Sequence, residues 1–261
     1  MIPKVIHYCW FGGSPIPKVN QKYIESWKKF CPDYEIVRWD ETNCDINCNA
    51  YVKAAYEEKK YGFVPDFFRL KIIYENGGFY FDTDVELIKS LDSLRDYHCF
   101  FGREHGGYVA PGLGFGAEKG NQEIGDMLKL YDELSFYNPD GTLNLTPSPI
   151  YVTDMLVARG LTKDDKLETI ENVTILPTSY LCPKNNLTGI INITTSSVSI
   201  HHYDASWTSP TNRFVKGATW FAYRHFGNRI GKTVNGILLI PRTIKENGFI
   251  GFLKIIFRKR G

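Results

Sequence analysis

Three short apolar runs, "KVIHYC", "YEIVRW" and "GFYF", alternate with helical patterns in the first ninety residues, and this alternation narrows the fold more than any other feature. Between the first two runs, Tyr23, Trp27 and Phe30 in "NQKYIESWKKF" fall at helical spacing. "AYVKAAYEEKKYG" reads as a second helix stopped by Gly62. "VPDFFRLKIIYENGG" reads as a third, with Pro65 in its first turn and Gly77 at its end. Strand–helix–strand alternation predicts an α/β fold whose sheet has a largely parallel core. After Leu94 the pattern weakens. "HCFFGRE" and "VAPGLGFGA" read as strands, "NQEIGDMLKLYDEL" and "SPIYVTDMLVARG" as helices, and "VSIHHYDASW" as a late strand entering a polar turn.

A chain of 261 residues supports one substantial domain with room for a small appendage. Charge marks where the appendage begins. From Arg229 to Arg260 there are eight basic residues against one acid, Glu246, an excess of +7. The net charge of +2 therefore leaves the rest of the chain near −5. The expected organisation is a main domain over 1–228 and a basic amphipathic segment over 229–261. A basic end on a mildly acidic body does not make a nucleic-acid-binding domain, so nucleic acid is not expected as a partner. The six cysteines form no CxxC pair and "MIPKVIHYCW" lacks a basic-then-apolar leader, so reduced thiols and a cytoplasmic location are expected. On that reading the N-x-T triplets at Asn144, Asn172, Asn186 and Asn192 carry no glycosylation meaning. No run of eighteen apolar residues predicts a transmembrane helix.

The chemistry concentrates around "GFYFDTDVEL", where Asp82 and Asp84 follow an aromatic strand-like run. Carboxylates at a strand end can coordinate Mg²⁺ or Mn²⁺, receive a phosphoryl group, or begin a solvated turn. Asp66 and Arg69, three residues apart on the preceding helix, can hold sugar hydroxyls through a carboxylate and a fixed fork of donors. They can equally form an ordinary surface ion pair. Trp10 ends the first strand, where open α/β sheets bind nucleotides, and stacking on a base competes with a core role. "SIHHYDASW" brings His201, His202, Asp204, Ser206 and Trp207 into one stretch. Adjacent histidines on a strand point to opposite sides, so only one is expected to face a site.

Taken in order, "IPKVIHYCWFGG", "PDFFRLKIIYENGGFYFDTDV" and "IHHYDASW" resemble glycosyltransferase family 32, the DxD sugar transferases that include yeast initiating mannosyltransferases and bacterial capsular-polysaccharide enzymes. The chain is also distantly similar to the glucosylating domain of the large clostridial toxins. The resemblance covers the first ninety residues almost continuously and one block near residue 200. It implies a GT-A type fold, a mixed sheet flanked by helices, and a retaining, metal-dependent transfer from a nucleotide-diphospho-sugar. It assigns Trp10 to stacking on the base, Asp66 and Arg69 to the ribose and donor sugar, and Asp82 to sugar and ribose hydroxyls. It assigns Asp84 to the metal (Mn²⁺ or Mg²⁺), His201 to a place near that metal, and Ser206 and Trp207 to the diphosphate. Pro65 departs from the small or hydroxyl residue common there, and proline suits a first helical turn. The toxin-like N-terminal block favours UDP over GDP.

The expected function is transfer of a sugar to a saccharide acceptor, lipid-linked or free, in surface or capsular polysaccharide synthesis. An aspartyl-phosphate phosphatase also needs Asp-x-Asp, but it wants Thr or Val where Glu86 stands. A non-catalytic nucleotide-sugar or glycan-binding relative remains the alternative. In the tail, Phe249, Phe252, Leu253, Ile256 and Phe257 recur at helical spacing among Lys254, Arg258, Lys259 and Arg260, a pattern suited either to peripheral contact with an anionic membrane or to docking on the core.

Overall fold

The computed structural model describes residues 1–204 and 210–258, with side chains described as far as residue 239. The chain divides into two compact units. The first comprises Met1–Lys184 and Asn192–Tyr203, the second Asn185–Ile191 and Asp204–Gly261. The division expected at residue 228 is a different cut. The charge step near Arg229 falls within the helical segment Pro210–Arg258, two residues after Gly227.

In the first unit the strands are β1 (Val5–Cys9), β2 (Glu35–Trp39), β3 (Gly78–Tyr80), β4 (Val85–Leu87), β5 (Cys99–Gly102), β6 (Phe115–Ala117), β7 (Glu168–Ile170), β8 (Val173–Leu176) and β9 (Ser199–His201). The helices are α1 (Lys18–Phe30), α2 (Ala50–Glu57), α3 (Val64–Asn76), α4 (Gln122–Glu133), α5 (Ser148–Ala158) and the single turn α6 (Thr178–Leu181). Seven strands form one mixed sheet in the order β2-β1-β3-β6-β5-β8-β7, and β4 and β9 form a separate pair. β2, β1 and β3 run parallel, β6 reverses direction, β5 and β8 return to it, and β7 reverses again. This is the α/β mixed sheet flanked by helices that was expected, with more antiparallel pairing than a largely parallel core.

Burial explains the local choices. Phe79, Tyr80, Phe81, Phe100 and Phe101 are fully buried, as central strands covered on both faces require. α3 buries Phe67, Phe68, Leu70, Ile72 and Ile73 and so is apolar on more than one side, a core helix rather than a surface one. α1 is amphipathic; its Trp27 is fully buried and donates its indole N–H to the Val85 carbonyl at 2.8 Å. α2 starts on the side chain of Asn49, which accepts from the amides of Tyr51 and Val52. It ends at Glu57 rather than Gly62, because Lys59 takes up a left-handed conformation (φ 56°).

Two sequence readings change. "VAPGLGFGA" is not one strand: a bridge at Val109 and a 3₁₀ turn over Pro111–Leu113 precede β6. Among its described residues "VSIHHYDASW" contributes the strand Ser199–His201, which pairs with β4 instead of joining the main sheet.

The second unit is built on α7, Pro210–Arg258. Helical geometry runs throughout, but Gly227 has φ 75°. Thr219 and Asn235 bond through their side chains at 3.4 Å, and a Cβ at Gly231 would lie 2.4 Å from the Tyr223 ring. Sixteen residues of straight helix would separate Thr219 from Asn235 by roughly 24 Å. The helix therefore folds back at Gly227 into a hairpin, which the left-handed freedom of glycine permits.

Candidate functional site

The parallel strands β1, β3, β5 and β8 all end at the same edge of the sheet, where α/β sheets hold ligands. Asp82, Thr83 and Asp84 form the turn that leaves β3 at this edge and enters β4. The Asp82 amide donates to the Gly112 carbonyl (3.2 Å), and the Val85 amide closes the turn onto the Asp82 carbonyl (3.1 Å). β4 then pairs with β9, with Val85 opposite His201. The pairing brings a residue near position 200 beside the acid pair.

His201 Nε2 lies 3.1 Å from Asp84 Oδ1. One ligand atom each from Asp82, Asp84 and His201 falls within 4.8 Å of the others. His201 Nδ1 is buried with no hydrogen-bond partner among the described residues. Burial would push the imidazole pKa down, but the charge and hydrogen bond of Asp84 outweigh it, and the net shift is upward. Two carboxylates and an imidazole suit Mn²⁺ or Mg²⁺, with open positions left for a ligand's oxygens. His202 takes the other direction, as strand alternation predicts. Its Nε2 contacts Glu86 Oε2 at 2.8 Å, its ring stacks on Tyr23 at 4.3 Å, and its amide donates to the Asp84 carbonyl.

Behind the turn lies a buried charge cluster. Arg69 Nη2 sits 2.8 Å from Asp66 Oδ1 and 3.5 Å from Asp82 Oδ1, with its guanidinium 5.3 Å from the centre of the Tyr80 ring. Asp66 and Arg69 are almost fully buried, so they are not the surface ion pair that their spacing also allowed. Asp82 retains about a third of its side-chain exposure (32%) and forms the open end of the cluster. Ser148, first residue of α5, donates to Asp66 Oδ1 at 2.9 Å. Burial raises the Asp66 pKa to about 6, against the opposing pull of Arg69 and Ser148. Burial raises Asp82 too, again opposed by Arg69.

Several residues here escaped sequence reading. The "SP" opening of α5 marked a helix start but not a partner for Asp66. Gly112 crosses directly over the acids: a Cβ there would lie 2.4 Å from Asp82 Oδ2 and 3.3 Å from Arg69 Nη1. Asn20, buried on α1, donates to Thr83 Oγ1 at 3.2 Å and steadies the middle of the turn. Lys184, also buried, donates to the His202 carbonyl at 2.8 Å. Glu104 follows β5 at the same sheet edge and acts electrostatically on His201 and Tyr203. None of these four has a local motif. Trp10 lies at the end of β1, partly buried, with its indole N–H on the Ser14 carbonyl (2.6 Å). Ser206 and Trp207 lie outside the described residues.

The strand edge of the mixed α/β sheet thus carries an Asp-x-Asp turn, a histidine and a buried Asp–Arg pair. Residues 17–101 match the family described as glycosyltransferase sugar-binding region containing DXD motif, about a third of the chain. It is 31% identical over 109 residues to inositol phosphoceramide mannosyltransferase 3 of Schizosaccharomyces pombe, covering 39% of this chain and 30% of that protein. It is 31% identical over 100 residues to the initiation-specific alpha-1,6-mannosyltransferase of Candida albicans, covering 34% and 26%. The chain thus spans less than a third of the length of these curated relatives. Among solved structures, a glycosyltransferase involved in glycosylating the major capsid of PBCV-1 aligns over 81% of this chain and 98% of its own, with TM-score 0.47 and 13% identity.

Proposed function

We propose that the protein is a metal-dependent, retaining glycosyltransferase of GT-A type, moving a sugar from a nucleotide-diphospho-sugar, UDP-linked by preference, to a saccharide acceptor in surface polysaccharide assembly. One observation carries the reading: the Asp82–Asp84–His201 cluster shares a carboxylate with the buried Asp66–Arg69 pair. A cation-binding group and a hydroxyl-binding group therefore meet at Asp82.

Asp82, the exposed end of the cluster, accepts hydrogen bonds from donor hydroxyls. Arg69 fixes its orientation, and Ser148 and Asp66 fix Arg69 in turn. Asp84 and His201 would hold the cation. Mn²⁺ or Mg²⁺ there supplies Lewis-acid stabilisation of charge on the departing diphosphate. Asp66 is buried and tied to two partners, so it positions and does not attack. The favoured route to retention is attack from the face the diphosphate leaves, with a diphosphate oxygen accepting the acceptor's proton. A sugar–enzyme covalent adduct, trapped with a slow donor, would overturn that route. The reaction is proposed to run on the cytoplasmic side, consistent with thiols read as reduced.

The test is donor hydrolysis by the full chain across UDP- and GDP-sugars, with mannose among the first sugars because two relatives are named mannosyltransferases. Release of nucleotide from one donor, abolished by EDTA and by Asp84→Asn, is the expected result. No turnover together with no metal-dependent nucleotide binding by calorimetry would favour the alternative, a non-catalytic relative that keeps the fold.

A further inference from the structure

The second unit carries a surface that the transferase site does not use. In it, Trp220 donates its indole N–H to the Asn186 carbonyl at 2.8 Å and lies against Gly189, so the loop Asn185–Ile191 is fastened to the first arm of α7. Thr219, Ala222 and Tyr223 are buried, and Gly231 and Asn235 of the second arm meet this inner side. The outer positions mix cations such as Arg224, Arg229 and Lys232 with large apolar side chains. Phe214 is 71% exposed, Phe221 and Phe226 57% each, and Ile230 and Ile237 47% and 58%. Scattered single apolar residues on a surface need no explanation, but five large ones on one short hairpin do.

Charge identifies what covers them. From residue 205 to 245 the sequence holds seven Lys or Arg and no Asp or Glu. A second copy of the same hairpin would bring like charges together. Nucleic acid would use the cations and leave the phenylalanines and isoleucines in water. A bilayer containing anionic lipid satisfies both: the rings and branched chains enter the boundary of headgroups and acyl chains, and Lys and Arg meet lipid phosphate. Among the described residues no helix is long and apolar enough to cross a membrane, so such a helix lies on the surface. We propose that the α7 hairpin, through Phe214, Phe221, Phe226, Ile230 and Ile237 and the basic residues around them, docks the protein on an anionic lipid bilayer. The surface thus starts well before the tail motif near Phe249, whose side chains lie outside those described.

The test is co-sedimentation of the full chain with vesicles of phosphatidylcholine alone or of phosphatidylcholine mixed with phosphatidylglycerol. Wild type is expected to bind the mixed vesicles and lose binding in high salt. Each Lys or Arg near an anionic surface strengthens binding roughly fivefold, so Arg229→Gln with Lys232→Gln should weaken it about 30-fold. Phe221→Ser with Phe226→Ser should weaken it at least ~10-fold. Both double variants should keep the wild-type circular dichroism spectrum and metal-dependent nucleotide binding, which separates this surface from the sugar site. Unchanged binding by either folded variant, equal binding to both vesicle types, no binding at all, or displacement from vesicles by duplex DNA or RNA would each overturn the proposal.

Discussion

Replacing Arg69 by methionine should expose the electrostatic logic of the buried cluster. Methionine keeps much of the side-chain volume and removes the cation that contacts both Asp66 and Asp82. Breaking a buried ion pair by deleting one partner typically costs about 3–5 kcal/mol, because the remaining charge stays in a poor solvent. Protonation can relieve that cost. In the wild type, burial already raises Asp66 from 3.8 to about 6. A carboxylate whose folded pKa lies above its unfolded value loses stability as pH rises through that interval, here about 3 kcal/mol at 1.36 kcal/mol per unit. Arg69 opposes the rise at both acids, so its loss should move both folded values further up and extend the window above pH 6. Urea denaturation should therefore show a loss of about 3–5 kcal/mol near pH 8, recovering by at least ~2 kcal/mol near pH 5. Adding Asp66→Asn should restore part of the stability near pH 8 without acid. A penalty independent of pH, and unmoved by Asp66→Asn, would mean that Arg69 matters through packing, and the charge reasoning would fail.

Other substitutions read the remaining contacts. Gly112→Ala places a methyl group 2.4 Å from Asp82 Oδ2, and metal-dependent nucleotide binding by calorimetry should weaken at least ~10-fold while the fold persists. Ser148→Ala removes a hydrogen bond to a buried carboxylate and should cost about 1.5 kcal/mol near pH 8, with less lost below pH 5 where Asp66 carries a proton; thermal melts at the two pH values check it. Gly217 lies on α7 with open space around its would-be Cβ, so Gly217→Ala should raise stability by up to ~1 kcal/mol, read from the urea midpoint, and leave metal-dependent nucleotide binding unchanged.

Legibility in the sequence follows the range over which each signal acts. The three early helices and the strands between them were visible because their apolar periodicity and their Pro and Gly boundaries are local. Asp66, Arg69, Asp82 and Asp84 were found for the same reason, lying within nineteen consecutive positions of one helix–strand–turn unit. β7 and β8 went unread because "ETIENVTIL" alternates too briefly to separate from loop. Ser148, Asn20 and Gly112 reach the cluster only through tertiary packing, from 82, 63 and 30 positions away in the chain. Nothing local marks a serine whose hydroxyl meets a carboxylate of another helix. The hairpin in α7 was hidden for the opposite reason: Gly217, Gly231 and Gly236 lie along the same stretch, so nothing local singles out Gly227 as the turn.

The placement of the acid pair between two sheets has a consequence for how the site is held. Asp82 is anchored from the main-sheet side, by its amide on Gly112 and by Arg69 from α3. Asp84 is anchored from the small sheet, by the His202 amide on its carbonyl and by His201 on its carboxylate. Between them Thr83 is buried and tied to Asn20 of α1, and α1 is itself fixed to β4 through Trp27 on the Val85 carbonyl. The two carboxylates can therefore keep a constant separation only while β9 stays paired with β4. The stacking of His202 on Tyr23, and its contact with Glu86, tie β9, α1 and β4 together at one point. On the proposed function, a site that brings a cation and a sugar hydroxyl to one carboxylate gains its rigidity from this arrangement, since each acid is held by a different element and only Thr83 separates them.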